Sequence, residues 1–377
     1  MNRFKEIKKG HPLFQICPVC GHEGWCATIE DGDNLFLICK RDVSKTDVNG
    51  FSYLCDTKKE GNSYFIFGEK KFYKNNSSRP ISPLPKKKNK KNQIERFSDS
   101  RLDKIYRDMF SLLILEENHR KYLKGEGFTD EMLENLHIKS WPVTDYVRWK
   151  EKVQTRSPKR SEIGRRLFEK HGDLTGLPGA YLAFNKKTNE YYWTFAGKDG
   201  IMFGLPNVYG EIVMCQLRLD KPDKGGKYRI LSSTGQYYEN GCSPGSRISV
   251  VKPKHLGDTV SIYLTEGYKK AAVAADRLGG IVITIQGVNS WAELFEINER
   301  NERLVDVLKN RYKTQIIIVA LDNDKYENMK VMDSQKAIIK ALKKENFEIA
   351  VAEWDSYMGR GLDDVLNNRY RPFYVLV

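Results

Sequence analysis

The sequence lacks the features that carry a chain into or across a membrane. Its first ten residues, MNRFKEIKKG, have no apolar core and are therefore unlike a signal peptide. No stretch of its 377 residues approaches the roughly 18 consecutive apolar residues that a spanning helix needs. From these absences we expect a soluble, cytoplasmic protein with no membrane partner.

The sequence also lacks the phosphate-wrapping loop of many ATPases. No G-x-x-x-x-G-K-[ST] segment occurs anywhere in the chain. A built-in helicase or ATPase motor is therefore not expected.

Acidic residues are scarce relative to basic ones. The chain has 49 Asp and Glu against 63 Lys and Arg, a formal net charge of +14. Such an excess indicates an anionic partner, either nucleic acid or an acidic membrane surface. The net charge is +7 over residues 1–100, +7 over 101–260 and zero over 261–377. The first two regions are therefore suited to holding a polyanion, and the last to another task.

Cysteine is rare outside the N-terminal region, where five of the seven occur before residue 56. Clustered cysteines in a reducing compartment indicate metal binding more than disulfides. Cys17 and Cys20 form a Cys-x2-Cys turn, a spacing that suits one tetrahedral zinc ion. Cys26 and Cys39 are the best candidates for the remaining ligands, with Cys55 and His22 as alternatives. We predict structural zinc, because so small a lobe has little core; free buried cysteines are the alternative.

Residues 79–93, RPISPLPKKKNKKNQ, predict a linker. Three prolines precede five lysines within six residues. Such a segment cannot bury surface and should be an extended tether, whose lysines either contact phosphates or are only solvated. The chain is thus divided into a zinc-binding module (1–75), a basic linker (76–95), a middle domain (96–258) and a C-terminal domain (259–377).

The middle domain begins with helical patterns and continues with β-like runs. We predict a helix from Arg101, then a helical hairpin broken at Gly125 and Gly127, with Thr129 as the N-cap of its second helix. From about residue 180 the runs AYLAF, EYYWTF and IVMCQLRLD predict strands. Among the basic residues of 217–235, Arg218 and Lys227 are predicted to face one groove and bind triphosphate or template, the alternative being a solvated basic hairpin.

Residues 261–353 alternate between apolar strands and amphipathic helices, including one predicted helix over WAELFEINERNERLVDVLKN. Repeated β-α units with continuous apolar strands predict a parallel sheet covered on both faces. Ligands of such sheets bind beyond the carboxyl ends of the strands. The acidic residues that follow strand ends on this edge are Glu266, Asp322, Asp324, Asp363 and Asp364.

Oxygen ligands without His or Cys suit Mg²⁺ or Mn²⁺, which clamp phosphates. If the first and third strands are neighbours, Glu266, Asp322 and Asp324 converge. Asp363 and Asp364 either hold a further metal ion or cap the last helix. A Glu-Gly pair at a strand end is by itself common in ordinary turns, and it is the Asp-x-Asp on the same edge that favours a metal site.

The segments LTEGYKKAA and IIIVALDNDK resemble the Toprim domain of bacterial-type primases, topoisomerases and some nucleases. The resemblance implies that Glu266, Asp322 and Asp324 are catalytic and carry the divalent metal. GLDDVL is similar to a later acidic motif of bacterial primases, which implies a metal contact by Asp363 and Asp364. The fold implied is α/β: a doubly wound Toprim domain joined to the α+β N-terminal subdomain of a primase core, plus a zinc-ribbon-like module.

The resemblance extends over nearly the whole chain. HRKYLKGEGFTDEMLENLHI is similar to the helical hairpin that opens the primase core. CPVCGHEGWC, KYRILSS, TEGYKKA, GVNSW and GRGLDD resemble primase-like Toprim proteins of phages, plasmids and integrated elements. Contacts to template or nucleotide are implied for Arg218 and Lys227, with Arg229 and Lys269 as further basic candidates.

The function implied is a primase that makes short primers on single-stranded DNA from nucleoside triphosphates, beside a separate replicative helicase. Two departures are visible: the zinc knuckle is not Cys-His-Cys-Cys, and DND lacks the following Ala-Gly. The alternatives are a Toprim nuclease using the same metals and a non-catalytic DNA-binding replication factor. A topoisomerase is not expected, because the chain has no room for gate domains.

Overall fold

The chain folds as two units, Met1–Lys91 and Asn92–Val377. The computed structural model describes residues 3–6, 14, 16–24, 26–31, 34–40, 51–59, 62–69, 94–224, 226–234, 238, 240–245, 248–256, 260–287, 290–313, 316–323 and 329–377. The predicted linker, 76–95, lies outside these residues except for its last two positions.

The first unit contains a five-stranded antiparallel sheet in the order β1-β2-β3-β5-β4. Its strands are β1 (Arg3–Glu6), β2 (Ala27–Asp31), β3 (Asn34–Cys39), β4 (Phe51–Lys59) and β5 (Asn62–Glu69). Phe51, Phe65 and Phe67 pack with Leu37 and buried cysteines in one small cluster. A core of this size stabilises a fold only weakly, so a structural metal is expected to contribute.

The second unit contains helices whose ends agree with several sequence signals. They are α1 (Asp99–Ser111), α2 (Glu117–Gly125), α3 (Asp130–Asn135), α4 (Asp145–Lys150), α5 (Arg160–His171), α6 (Tyr268–Leu278), α7 (Leu304–Tyr312), α8 (Met329–Lys344) and α9 (Leu362–Asn367). The Thr129 side chain accepts a hydrogen bond from Met132 N at 3.1 Å, which confirms the predicted N-cap. No helix of the described residues is long and apolar enough to cross a membrane.

The described residues of the second unit form three sheets. Their strands are β6 (Ile138–Trp141), β7 (Ala180–Asn185), β8 (Glu190–Phe195), β9 (Gly200–Pro206), β10 (Ile212–Asp223), β11 (Gly226–Ile230), β12 (Ser249–Val251), β13 (Ile262–Glu266), β14 (Ile281–Ile285), β15 (Ile316–Val319), β16 (Glu348–Glu353) and β17 (Phe373–Leu376). A four-stranded antiparallel sheet has the order β11-β10-β9-β6, and β7 pairs with β8. The three β-like runs of the middle region are therefore strands, as predicted.

The six-stranded sheet has the order β12-β14-β13-β15-β16-β17. Its four central strands are parallel, and the two outer strands are antiparallel to their neighbours. Ile262 and Leu264 pack in one cluster with residues of α7 and α8, whereas Tyr263 packs in another with residues of α6 and α9. Helices therefore cover both faces, as the continuous apolar strands predicted.

The helix predicted over residues 291–310 is wrong in its first half. A short 3₁₀ helix, Ser290–Phe295, precedes a loop, and α7 starts only at Leu304. The Asn298 side chain accepts hydrogen bonds from the backbone of Arg300 and Glu302, and Asn301 has a φ of 60°. Asparagine side chains that bond to the nearby backbone favour turns over helix, which explains the break.

Candidate functional site

Glu266 and Asp322 lie where the order of the parallel strands reverses. Strand β13 ends at Glu266 and lies between β14 and β15, and Asp322 follows the end of β15 by three residues. The condition under which the acids were expected to converge, that the first and third strands are neighbours, is met, because β13 pairs with β15. In open α/β sheets the connecting loops separate at such a switch point, leaving a crevice at the carboxyl ends of the strands.

A cleft of about 540 Å³ opens at this point. Among the described residues, its charged lining comprises two carboxylates, Glu266 and Asp322, and four basic side chains: Arg229, Lys269, Lys270 and Arg360. Gly267, with a φ of 86°, allows the chain to turn from β13 directly into α6 beside the cleft. A cleft with a basic excess and a few carboxylates can hold phosphate groups together with a divalent cation.

The loop that carries Asp322 is held by an ion pair of Asp322 and by two hydrogen bonds of the adjacent Asn323. Lys270 Nζ lies 2.5 Å from each carboxylate oxygen of Asp322. Asn323 N donates to Arg360 O at 3.0 Å, and Asn323 Nδ2 donates to Trp354 O at 3.2 Å. The loops after β15 and β16 are thereby joined. Asp324 lies outside the described residues.

The two aspartates of α9 have different surroundings. Asp364 is exposed and caps the helix by accepting a hydrogen bond from Gly361 N at 3.1 Å. Asp363 is only 2% exposed; its Oδ2 lies 2.9 Å from Lys269 Nζ, and its Oδ1 is buried without a hydrogen-bond partner among the described residues. Asp364 therefore has the capping role that the sequence left open.

Gly361 brings Asp322 and Asp363 into one neighbourhood. A β-carbon at Gly361 would lie 2.7 Å from Asp363 Oδ1 and 3.4 Å from Asp322 Oδ1. The space is thus bounded by two carboxylates, one of them with an unpartnered oxygen, and by Lys270, whose Cε would lie 3.2 Å from that β-carbon. The carboxylate oxygens are ligands that suit Mg²⁺ or Mn²⁺. Within the described part of the chain, however, the carboxylates do not form a group of three within 4.8 Å.

Lys269 is engaged by two carboxylates rather than directed at solvent. It pairs with Glu126, the C-cap residue of α2, and with Asp363 of α9. Burial lowers the pKa of Lys269, but the two carboxylates outweigh it and raise that pKa above its ordinary value of 10.5. Its position connects three helices, and it also lines the cleft.

Arg218 and Lys227 share one aromatic neighbour. The Arg218 guanidinium lies 3.8 Å from the centre of the Tyr122 ring, and Lys227 Nζ lies 6.0 Å from it. The prediction that they share a surface is consistent with this arrangement. Arg229 lines the cleft and pairs with Asp223. Lys227 remains exposed, where it can contact an anionic polymer.

Other cleft residues were not predicted from the sequence. Gln216, Tyr228, Gln286 and Arg360 all line the cleft. Burial raises the pKa of Tyr228 to about 12, so its phenol is neutral at physiological pH. Gln286 follows Ile285, which pairs in register with Glu266. The acidic residues were predicted because they follow the ends of parallel strands. Gln286 has the same position, so the same criterion applied to uncharged polar residues would have identified it.

The first unit contains the four-cysteine group predicted from the sequence. The Sγ atoms of Cys17, Cys20, Cys26 and Cys39 all lie within 4.8 Å of one another. Cys17 N donates to His22 O, and Gly21 N donates to Cys17 O, each at 2.8 Å. These bonds form the turn that brings Cys17 and Cys20 together. Four sulfurs at such distances can bind one structural zinc ion.

The cysteines affect each other's protonation. Hydrogen bonds from Cys26 and, to a smaller extent, from Cys39 lower the pKa of the Cys17 thiol. The hydrogen bond between Cys26 and Cys17 in turn raises the pKa of the Cys26 thiol. The thiolate, rather than the thiol, is the form of cysteine that binds a metal ion. The ring of His22 is exposed and its Nδ1 lies 2.5 Å from Cys20 O, so it does not join the group. The Cys55 side chain lies outside the described residues.

Comparison with protein families identifies one match. The family described as "Domain of unknown function (DUF3854)" matches residues 255–371. This range contains the parallel strands, the cleft acids and α9. No curated protein matches the chain.

The solved structures to which this chain is similar include primase domains. The RNA polymerase domain of Mycobacterium tuberculosis primase DnaG, in complex with a double-stranded DNA oligomer with a 6-nucleotide overhang, is 13% identical, with a TM-score of 0.45 over 73% of this chain and 77% of that one. The Aquifex aeolicus primase, comprising its zinc-binding and RNA polymerase domains, is 12% identical, with a TM-score of 0.45 over 72% and 59%. A DnaG primase catalytic domain bound to single-stranded DNA is 14% identical, with a TM-score of 0.41 over 72% and 78%.

Proposed function

We propose that this protein is a primase-like nucleotidyltransferase with a Toprim-type catalytic domain. The observation that carries the proposal is the position of Glu266 and Asp322 at the strand-order switch point, facing a cleft with four basic side chains. Template-directed primer synthesis needs a site for a nucleoside triphosphate and a surface for single-stranded DNA. The cleft and the basic hairpin of β10 and β11 supply candidates for both.

The cation-binding residues would be Glu266, Asp322 and Asp363, with Asp324 as the predicted fourth. A divalent cation bound there would offset phosphate charge and stabilise the charge that develops at phosphorus. Lys270, Arg229 and Arg360, which line the cleft, would bind the triphosphate and keep it there. The primer 3′-hydroxyl would attack the α-phosphorus in line and lose its proton to water, and pyrophosphate would leave with the electron pair of the broken bond.

The template surface of this proposal is the hairpin beside Tyr122. Lys227 is exposed and carries a charge that a DNA phosphate can neutralise. Arg218, over the face of the Tyr122 ring, has its guanidinium oriented by that contact. In the first unit, a zinc ion held by the four cysteines would order a module that grips template.

A primer-synthesis assay tests the proposal. Purified protein is incubated with single-stranded DNA, labelled ribonucleotides or deoxynucleotides, and Mg²⁺ or Mn²⁺. We expect labelled oligomers that disappear in Asp322→Ala, with Asp355→Ala, an exposed acid outside the cleft lining, as the control. Shortened DNA would instead indicate a nuclease. Salt-sensitive DNA binding without either product would indicate a non-catalytic replication factor.

The template surface has a separate test. For single-stranded DNA, each phosphate contact contributes about 0.7 to the slope of log affinity against log salt. We expect Lys227→Ala to reduce that slope by about this amount. Lys344→Ala, in the last turn of α8, is the control. An unchanged slope for Lys227→Ala would remove this residue from the template surface.

A further inference from the structure

Two glutamine side chains form a hydrogen-bonded pair in the cleft. Gln216 Nε2 donates to Gln286 Oε1 at 2.7 Å, and both residues line the cleft. Gln216 is only 8% exposed and belongs to β10, whereas Gln286 follows β14. The pair joins residues 70 positions apart and connects the antiparallel sheet to the parallel one.

The pair leaves one strong donor unused. Gln286 Nε2 is buried and has no hydrogen-bond partner among the described residues. A buried amide donor without a partner is costly, and in native proteins such groups are nearly always paired with protein, water or a bound molecule. Because Gln216 already occupies Gln286 Oε1, the unused N–H groups of Gln286 have a defined direction.

Two nearby threonine hydroxyls are also buried without a hydrogen-bond partner among the described residues. Thr265 and Thr284 pair in register on β13 and β14, both are fully buried, and neither hydroxyl has a partner within the described part of the chain. Gln286 lies two residues beyond Thr284 and one residue beyond the end of β14. The two threonines do not line the cleft, so the unpartnered donor that reaches it here is Gln286 Nε2.

The side-chain amides of Gln216 and Gln286 are uncharged, and this property indicates which part of a nucleotide they would bind. Phosphate oxygens would bind preferentially to the basic side chains of the same cleft, because charged donors form stronger hydrogen bonds than neutral amides. The unused N–H donors of Gln286 instead match an uncharged acceptor, namely a ribose hydroxyl oxygen or an acceptor on the edge of a nucleobase. The phosphates and the nucleoside of one nucleotide would then have separate parts of the cleft.

From these observations we infer that Gln216 and Gln286 form the subsite for the uncharged nucleoside portion of the nucleotide, with Gln286 Nε2 donating to it and Gln216 positioning Gln286. This inference rests on the proposed function, because it assumes that a nucleotide enters the cleft. The subsite would contribute to substrate specificity independently of the cleft carboxylates Glu266 and Asp322.

Binding measurements separate this inference from the proposed function. Calorimetric titrations with Mg²⁺ compare ATP, dATP, UTP and inorganic tripolyphosphate on the wild type and Gln286→Met. We expect the variant to bind its preferred nucleotide about threefold to tenfold more weakly, the effect of one neutral hydrogen bond, and tripolyphosphate unchanged. Loss of an ATP-over-dATP preference would identify a ribose contact, and loss of an ATP-over-UTP preference a base contact.

Controls keep each outcome interpretable. Gln335→Met removes another amide whose oxygen is buried and unpartnered within the described residues, but which lies outside this cleft, and should leave all affinities unchanged. Gln286→Asn retains the amide but withdraws it by one methylene, so it tests the contact should the methionine variant not fold. Equal nucleotide affinity in wild type and variant, or equal weakening of nucleotide and tripolyphosphate, overturns the inference. If the wild type binds tripolyphosphate and ATP with equal affinity, the inference is also overturned. If the wild type binds neither ligand, the proposed function is overturned too.

Discussion

Lys270 Nζ lies 2.5 Å from both carboxylate oxygens of Asp322, so a cation of the chain itself neutralises the acid at the switch point. The contact joins the first turn of α6 to the loop after β15. A divalent ion at Asp322 would compete with this lysine, whereas a phosphate in the cleft would gain from it.

Removal of Lys270 should therefore have opposite effects on two ligands. We expect Lys270→Met to raise the affinity for Mn²⁺ severalfold, because Asp322 loses its competing cation, and to lower the affinity for tripolyphosphate. Paramagnetic resonance of free Mn²⁺ measures the first and calorimetry the second. Lys254→Met, whose ion pair with Glu131 is exposed, is the control. Unchanged Mn²⁺ affinity would show that Lys270 and the metal do not share Asp322.

A methyl group at Gly361 should damage the metal site more than the fold. The backbone φ of Gly361 is −107°, which alanine tolerates, but its β-carbon would lie 2.7 Å from Asp363 Oδ1. We expect Gly361→Ala to weaken Mn²⁺ binding about tenfold or more, as the displaced carboxylate loses its geometry. Gly125→Ala, with no atom within 4 Å of the added carbon, should leave binding unchanged. Equal Mn²⁺ affinity in both variants would exclude Asp363 as a ligand.

Lys269 should be essential for stability because Asp363 is buried. Lys269→Met leaves that carboxylate without its partner, and loss of one member of a buried pair costs about 3–5 kcal/mol. We expect Lys269→Met with Asp363→Asn to recover much of this loss, since the fully buried charge is then removed and only the partly exposed Glu126 lacks its partner. Urea unfolding of the single and double variants measures the coupling. Additive effects would show that the two side chains do not interact.

Glu126 should make stability depend on pH in the acidic range. Burial alone would raise its pKa, but the hydrogen bond and charge of Lys269 outweigh burial and lower that pKa below its ordinary value of 4.5. The stability from Glu126 is therefore fully present above about pH 4.5 and is lost as the pH falls through its folded-state pKa.

Melting temperatures at several pH values check this sign. The difference between wild type and Glu126→Gln should be largest near neutral pH and shrink between about pH 5 and pH 3. Glu134→Gln, an exposed glutamate on α3, serves as the comparison and should show no such trend. A difference that grows toward low pH would contradict the assignment.

Zinc content should depend on the four-cysteine group. We expect about one zinc ion per wild-type chain and its loss in Cys39→Ser, whose sulfur lies 3.7 Å from that of Cys26. His22→Ala should retain zinc, because its ring is exposed and contacts a backbone oxygen. Cys55→Ser and Cys26→Ser decide between the two candidates for the fourth ligand. Zinc retained in Cys26→Ser and lost in Cys55→Ser would reverse our assignment.

Local signals in the sequence were sufficient for many elements of this fold. The Cys-x2-Cys turn, the N-cap at Thr129 and the helix end at Gly125 depend on residues within a few positions of one another. The apolar runs of β13 to β16 predicted a parallel sheet, because such strands are buried on both faces. Neighbouring strand ends then made it possible to expect Glu266 and Asp322 on one edge.

The remaining features depend on contacts between distant segments. Lys269 meets Glu126 across 143 positions, and Gln216 meets Gln286 across 70. Neither pairing has a local signature, because a lysine after a strand or a glutamine within one is compatible with ordinary solvent exposure. The sequence by itself determined the chemistry available at the sheet edge and in the cysteine group. Only the tertiary structure decided which of those side chains are neutralised by partners within the chain, because strand order and packing set their distances.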